Sequence, residues 1–284
     1  MIEAIDLRVD VGGRTVLDGI DLGVGEREVV GVVGPNGSGK STLLRALIGV
    51  RPPARGTVRI DGVDVRSASR RWIARRAAFV GQMVDPDPAL SVADEVSLGG
   101  LATHGAWRAQ GRSFRPRIER ALATVGLAGA IDVPLAELSG GERQRVQLAR
   151  AMVHGADYAL LDEPTNHLDV RHRLELLELL PHVARSVIVV LHDLELAARA
   201  CDRILLLSEG GVAAFGRPHE VLRPELLDPV YGVRTRVSAD DDGRPRLSFS
   251  LAAAACRTGA GDPAHSRVAR QTTPQPIPQK EDAA

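Results

Sequence analysis

The residues with the plainest chemical capacity run from Gly34 through Pro35, Asn36, Gly37, Ser38, Gly39, Lys40 and Ser41 to Thr42. They match the pattern G-x-x-x-x-G-K-[ST]. Glycines in such a loop let successive backbone N–H groups turn toward a polyphosphate. A helix starting there points its positive end at the same anion. Lys40 is placed to reach β- and γ-phosphates, and the Ser41 hydroxyl to hold Mg²⁺. At average composition the pattern arises by accident in about one chain in a hundred of this length. Lysine occurs only at Lys40 and Lys280, so of the 36 basic residues the remaining 34 are arginine. The compact ammonium is kept where arginine's planar fork suits the task less well.

Other candidates are weaker taken singly. Asp162-Glu163 closes an apolar run and suits a Mg²⁺ site with an adjacent base, although an acidic loop after a strand is the ordinary alternative. Ser139-Gly140-Gly141 precedes Glu142 and a helical pattern, which equally describes a plain N-cap. His192 could cap the helix that follows it, and Gln82 alone carries no information. His154, His167, His172 and His182 have no metal-ligand spacing and read as surface or packing residues.

These residues need elements to position them. Val29 to Val33 reads as a buried strand and Thr42 to Ile48 as a helix, placing the loop between them. Residues 1 to about 30 alternate in polarity and break at Gly12-Gly13 and Gly25, which predicts short antiparallel strands. Gly56 to Gly62 continues that layer, and a further short strand ends at Phe79 to Gln82. Between Asp85 and Arg150 the pattern turns helical: Val92 to Leu98, a loop from Gly105 to Pro116, Ile118 to Val125, and a helix after Gly141. Strands at Tyr158 to Asp162, Val187 to Leu191 and Ile204 to Leu207 alternate with helices at Leu174 to Leu180, stopped by Pro181, and Leu194 to Ala200. Arg234 to Ser238 and Arg246 to Ser250 around Asp241-Asp242-Gly243 predict a closing hairpin.

The expected class is α/β. It has a phosphate-loop core with a mostly parallel sheet, an N-terminal antiparallel β-subdomain and an inserted helical subdomain at about 85–155. The domain is expected to cover 1–250, and the Ala-, Gly-, Pro- and Gln-rich remainder, 251–284, to be disordered.

Composition narrows the function. Acidic and basic residues number 36 each, so the formal charge is zero, which disfavours a basic nucleic-acid face. The two cysteines, Cys201 and Cys256, form neither a disulfide framework nor a metal spacing. No signal-like start or bilayer-length apolar run is present.

Order and spacing join the weaker features to the strong one. Gly34–Thr42, Gln82, Leu138–Gln144, Leu160–Glu163, Leu168-Asp169 and His192 together resemble the ATPase subunit of the ATP-binding cassette family, over roughly residues 1 to 250. Leu138-Ser139-Gly140-Gly141-Glu142 is specific to that family among phosphate-loop ATPases. The resemblance implies ATP and Mg²⁺ as cofactors and a head-to-tail homodimer. ATP would lie between the phosphate loop of one subunit and Ser139-Gly140-Gly141 of the other. Asp162, Ser41 and Gln82 would hold Mg²⁺, and Glu163 would polarise the attacking water. His192 would contact the γ-phosphate, and Asp169 would sit at the dimer seam. The implied partners are membrane permease subunits and, indirectly, a substrate-binding protein, with no nucleic acid. The implied location is the cytoplasmic face of the inner membrane.

Within the family, Asp162–Asp169, Leu191–Leu194, Phe215–Pro218, Glu220–Leu222, Pro224–Leu227 and Tyr231–Val233 look like importers of ferric siderophores, haem or cobalamin. Zinc and manganese importers are similar and stay open, as does a soluble non-transport ATPase of the same family. Two departures stand out. Gly100 and Ala102 replace an Arg and a Pro common in that group. Val11 stands where an aromatic residue usually stacks on adenine, so phosphates and Mg²⁺ are expected to dominate ATP affinity.

Overall fold

In the computed structural model the described residues are 1–81, 89–104, 114–166, 168–239, 243 and 245–251. The expected loop at 105–113, Gln82, His167, the Asp241-Asp242 turn and the tail beyond Leu251 lie outside them.

The chain opens with β1 (Ile2–Val11) and β2 (Arg14–Val24), antiparallel and alternately buried along β1. Then come β3 (Val29–Val33), α1 (Lys40–Leu47), β4 (Arg55–Ile60), β5 (Val63–Asp64), α2 (Arg70–Arg76) and β6 (Ala77–Val80). Helices follow: α3 (Val92–Leu98), α4 (Leu101–His104), α5 (Arg115–Thr124) and α6 (Gly140–His154). The chain then alternates: β7 (Tyr158–Asp162), α7 (Val170–Val183), β8 (Ser186–Val190), α8 (Leu194–Ala200), β9 (Arg203–Ser208) and β10 (Gly211–Gly216). It closes with α9 (Pro218–Val221), α10 (Pro224–Tyr231) and the hairpin β11 (Val233–Ala239) and β12 (Pro245–Leu251).

Two sheets organise the fold. One is antiparallel, in the order β2-β1-β4-β5; the other runs β10-β9-β3-β8-β7-β6. In the second sheet only β10 is antiparallel. All residues of β3, β7 and β8 are buried, as expected of parallel strands covered on both faces. Leu43, Leu44 and Leu47 of α1 are fully buried between the two sheets, in one cluster with Ile2, Leu7, Val32 and Leu205. The opposite face of the parallel sheet packs against α6, α7 and α8 through Val146, Leu148, Leu176, Leu180 and Ala197. At the end of α3, a Cβ on Gly99 would stand 2.2 Å from the Arg150 carbonyl, so glycine permits the close approach of α3 to α6.

Two boundaries differ from the sequence reading. Helix α5 begins at Arg115 and takes in Pro116, which was assigned to the preceding loop. Proline is tolerated there because a first-turn N–H has no intrahelical partner. Helix α7 starts at Val170, capped by Asp169, and runs through Pro181 to Val183 instead of stopping at it. Pro181 lies in the last turn, where it removes one helical bond with little helix left to break. No helix among the described residues is long and apolar enough to cross a membrane.

Candidate functional site

The site begins where β3 ends in the middle of the parallel sheet. Gly34 adopts φ +148°, and a Cβ on it would stand 2.3 Å from the Leu207 carbonyl oxygen. Gly39, at φ +100°, leads into α1, and a Cβ there would lie 2.5 Å from Leu17 Cδ2. Neither position has room for a side chain, and both need a backbone that glycine adopts freely. Lys40 is buried, and its Nζ donates to the Gly34 and Pro35 carbonyls, each at 2.9 Å. Burial lowers its pKa, opposed by the charges of Glu163 and Asp162.

Strand β7 carries Asp162 to the same edge. The Ser41 hydroxyl donates to Asp162 Oδ1 at 2.8 Å. Among the described residues Asp162 Oδ2 is buried without a hydrogen-bond partner, and Arg45 places Nη2 3.8 Å from it. Burial pushes the Asp162 carboxyl above the usual range, the Ser41 hydrogen bond pulls it back, and the Glu163 charge raises it further. A buried carboxylate oxygen without a donor, beside a serine hydroxyl and a phosphate-type loop, fits a hard cation such as Mg²⁺. Mg²⁺ commonly takes one or two protein groups and fills its shell with phosphate and water.

Glu163 follows at φ +57°, in the left-handed region that a non-glycine residue rarely enters. This turn directs its carboxylate away from the strand and toward His192 and Asn166. His192 Nε2 lies 2.6 Å from Glu163 Oε1, and Asn166 Nδ2 donates to Glu163 Oε2 at 2.6 Å. His192 does not cap the next helix. Asp193 does, accepting from the N–H groups of Glu195 and Leu196 at 2.9 and 3.1 Å. Lys40, Ser41, Asp162, Glu163 and His192 thus converge from three strand ends, after β3, β7 and β8. Gln82, the third expected metal ligand, lies outside the described residues.

A second group gathers on other elements. Ser139 is exposed and caps α6, accepting from the Glu142 N–H at 3.3 Å, while Glu142 Oε2 accepts from the Ser139 N–H at 2.9 Å. The Ser139 hydroxyl, which donates to Glu142 Oε2 at 2.7 Å, and then the Ser139 N–H lower the Glu142 pKa. The plain N-cap reading is therefore correct, and Ser139 and Gly140 are exposed at that helix start. A Cβ on Gly141 would lie 3.4 Å from the His172 ring, and His172 Nδ1 pairs with Asp169 Oδ1 at 2.8 Å. Asp169 also caps α7 through the His172 N–H at 2.9 Å.

Val11 is half-buried at the end of β1, opposite Arg14 and packed on the core between the sheets. Two contacts at the site escaped the sequence reading. Arg45 reaches Asp162 across a span of sequence, and no local pattern marks it. Asn166 did have a signal: its N–H closes a turn onto the Glu163 carbonyl at 3.3 Å, which brings its amide beside the Glu163 carboxylate.

The profile of the family described as ABC transporter matches residues 17–166. The chain is 40% identical over 255 residues to a hemin import ATP-binding protein of Rhodopseudomonas palustris strain BisA53, covering 86% of this chain and 92% of that protein. It is 38% identical over 244 residues to a cobalamin import ATP-binding protein of Halobacterium salinarum, covering 84% of this chain and 61% of that one. A bacterial ABC transporter cassette solved as a dimer superposes with a TM-score of 0.66 at 28% identity, over 77% of this chain and 99% of that one. Phosphate loop, strand-end carboxylates and overall similarity agree, and the chain belongs to the ABC transporter family as one of its ATP-binding, ATP-hydrolysing subunits.

Proposed function

We propose that the chain powers uptake of haem or a related metal chelate, such as cobalamin or an iron siderophore, through a separate membrane permease. What carries the reading is similarity along 92% of a hemin import ATP-binding protein, joined to the polar groups that gather at the ends of β3, β7 and β8. Lys40 and the loop N–H groups bind the phosphates. Ser41 and Asp162 would hold Mg²⁺, with Gln82 as a further ligand, and the ion when bound would supply neutralisation of phosphate charge. Glu163 takes the proton of the attacking water, and His192 meets the γ-phosphate. Ser139, Gly140 and Gly141 reach the nucleotide from a second copy, with Asp169 at the seam between copies. Their exposed helix start supports this, since a helix N-terminus attracts phosphate.

The permease has a candidate seat. A cleft of about 680 Å³ has Phe79, Leu98, Leu101, Ala102, Gln147 and Arg150 among its lining residues. Phe79, Leu98 and Leu101 are exposed apolar residues, which favours a partner surface over open solvent. The subunit accordingly sits on the cytoplasmic face of the membrane, and a substrate-binding protein feeds the permease from the other side.

The test is reconstitution of the chain with its permease in liposomes holding ATP, followed by uptake of hemin, cobalamin and a ferric siderophore. Accumulation of one of them, lost with Glu163→Gln, supports the reading. Accumulation of free zinc or manganese alone would move the protein to the other importer group. ATP turnover that never responds to a permease would remove the transport role.

A further inference from the structure

Helices α6 and α7 begin side by side, and one histidine touches both beginnings. Helix α6 opens at Gly140 after its cap Ser139, and α7 at Val170 after its cap Asp169. His172 sits in the first turn of α7. Its Nδ1 lies 2.8 Å from Asp169 Oδ1, and its N–H donates to the same oxygen at 2.9 Å. The Asp169 pKa is lowered, chiefly because the bond from the His172 N–H stabilises the charge. An ionised carboxylate only accepts, so Nδ1 carries the proton and donates it. Arg173 Nε donates to the Leu168 carbonyl at 2.8 Å, which fixes the chain just ahead of Asp169.

The same ring lies against α6. A Cβ on Gly141 would stand 3.4, 3.6 and 3.7 Å from Cγ, Cδ2 and Nδ1 of His172, so the ring turns its face toward that glycine. Gly140 and Gly141 have no side chains with which to pack on α7, and the imidazole fills that space from the other side. One helical turn further along both helices, Arg145 Nη1 donates to Glu175 Oε2 at 3.0 Å. Arg171 Nε donates to Glu175 Oε1 at 2.7 Å, so this second link is itself held in place. The first turns of α6 and α7 are therefore joined twice, by the ring on Gly141 and by the ion pair below it.

We infer that His172 is a positioning residue for the pairing of two subunits. It holds the Asp169 carboxylate and braces the start of α6, so that both segments keep one relative arrangement before a second copy arrives. Ordering these groups in advance lowers what association must otherwise cost. This role rests on the shared site proposed above, in which Ser139, Gly140, Gly141 and Asp169 face the other copy.

The test uses the full chain in the Glu163→Gln background, with His172→Ala, His172→Asn and His172→Phe. Asparagine keeps an N–H donor near the place of Nδ1 and loses the ring, whereas phenylalanine keeps a ring and loses the donor. With ATP and Mg²⁺, the subunit concentration at half-dimerisation should rise about two- to tenfold for alanine, the range for one side chain no longer ordered beforehand. Asparagine and phenylalanine should each recover part of that loss. The Kd of a single chain for ATP should match the parent's. The melting temperature should move by no more than about 2 °C, because an exposed ion pair adds little stability. In the nucleotide-free chain, amide hydrogen exchange should quicken at 138–146 and stay as before at 29–40, which reads the brace without needing a dimer. Pairing and exchange both equal to the parent's in His172→Ala would overturn the role. So would an equal loss of single-chain ATP affinity, since the residue would then serve the whole site's fold. A Glu163→Gln parent that never pairs would sink the shared site itself, and the exchange result would still decide whether His172 braces α6.

Discussion

His192 Nε2 lies 2.6 Å from Glu163 Oε1, and Asn166 holds the other oxygen of the same carboxylate. Both oxygens of the candidate base are therefore engaged within the single chain. A carboxylate offers about four lone-pair sites, so these two partners orient the group without preventing it from taking a proton from water.

Glu163→Gln should bind ATP and hydrolyse it about a hundredfold or more slowly, because the amide cannot serve as a base. The neutral side chain also relieves repulsion against the γ-phosphate, so a dimer with trapped ATP should accumulate. Phosphate release by the purified variant gives the answer, and turnover near wild type would take the base role away from Glu163.

Asp162 is raised in pKa chiefly by burial, and the sign of its linkage follows. A group that holds its proton more tightly when folded contributes stability fully below its unfolded value. That contribution is lost as pH rises through the raised folded value. The nucleotide-free protein should thus carry a penalty from Asp162 at neutral pH. Asp162→Asn should raise the melting temperature in EDTA by a few degrees at pH 7, flatten its dependence on pH above the carboxylate range, and abolish ATP turnover. Parallel melting curves for variant and wild type from pH 4 to 7 would refute the penalty.

Ser139→Arg should leave ATP binding by one chain intact and prevent ATP-driven pairing. Ser139 is exposed at the start of α6, where a long cation would fill the space a second subunit's nucleotide needs. Size-exclusion chromatography with ATP, in the Glu163→Gln background, provides the test. A dimer peak that survives the substitution would contradict a shared site.

Gly31 lies in the middle of β3, and a Cβ there would stand 2.7 Å from Cys201 Sγ and 3.8 Å from Ala197 Cβ. Gly31→Ala should destabilise the chain by about 1–3 kcal/mol through overpacking. Cys201→Ala in the same chain removes the sulfur and should restore most of the loss. Denaturant melts of both singles and the double complete the cycle, and strictly additive effects would mean the two positions do not touch.

What was legible in the sequence follows from where the physics is local. The phosphate loop is one continuous turn between a strand and a helix, and its glycines, Lys40 and Ser41 act from neighbouring positions. The continuous apolar runs of β3, β7 and β8 could be read because parallel strands are covered on both faces. The N-cap of α6 was legible in Ser139 and Glu142, three residues apart. Even Asn166 lay one turn from Glu163, so its contact was within reach of a local reading.

Other features depend on which strand ends adjoin, and no spacing along the chain encodes that. The order β9-β3-β8-β7 brings Ser41, Asp162 and His192 to one edge although they are far apart in sequence. The orphaned oxygen of Asp162, its neighbour Arg45 and the left-handed turn at Glu163 exist only because that sheet is packed and buried. Pro181 shows the reverse limit. Its residue type speaks for a helix stop, but burial of Leu176, Leu177, Leu180 and Val183 on one face keeps α7 going past it. Local chemistry named the parts, and desolvation in the assembled core decided which of them meet.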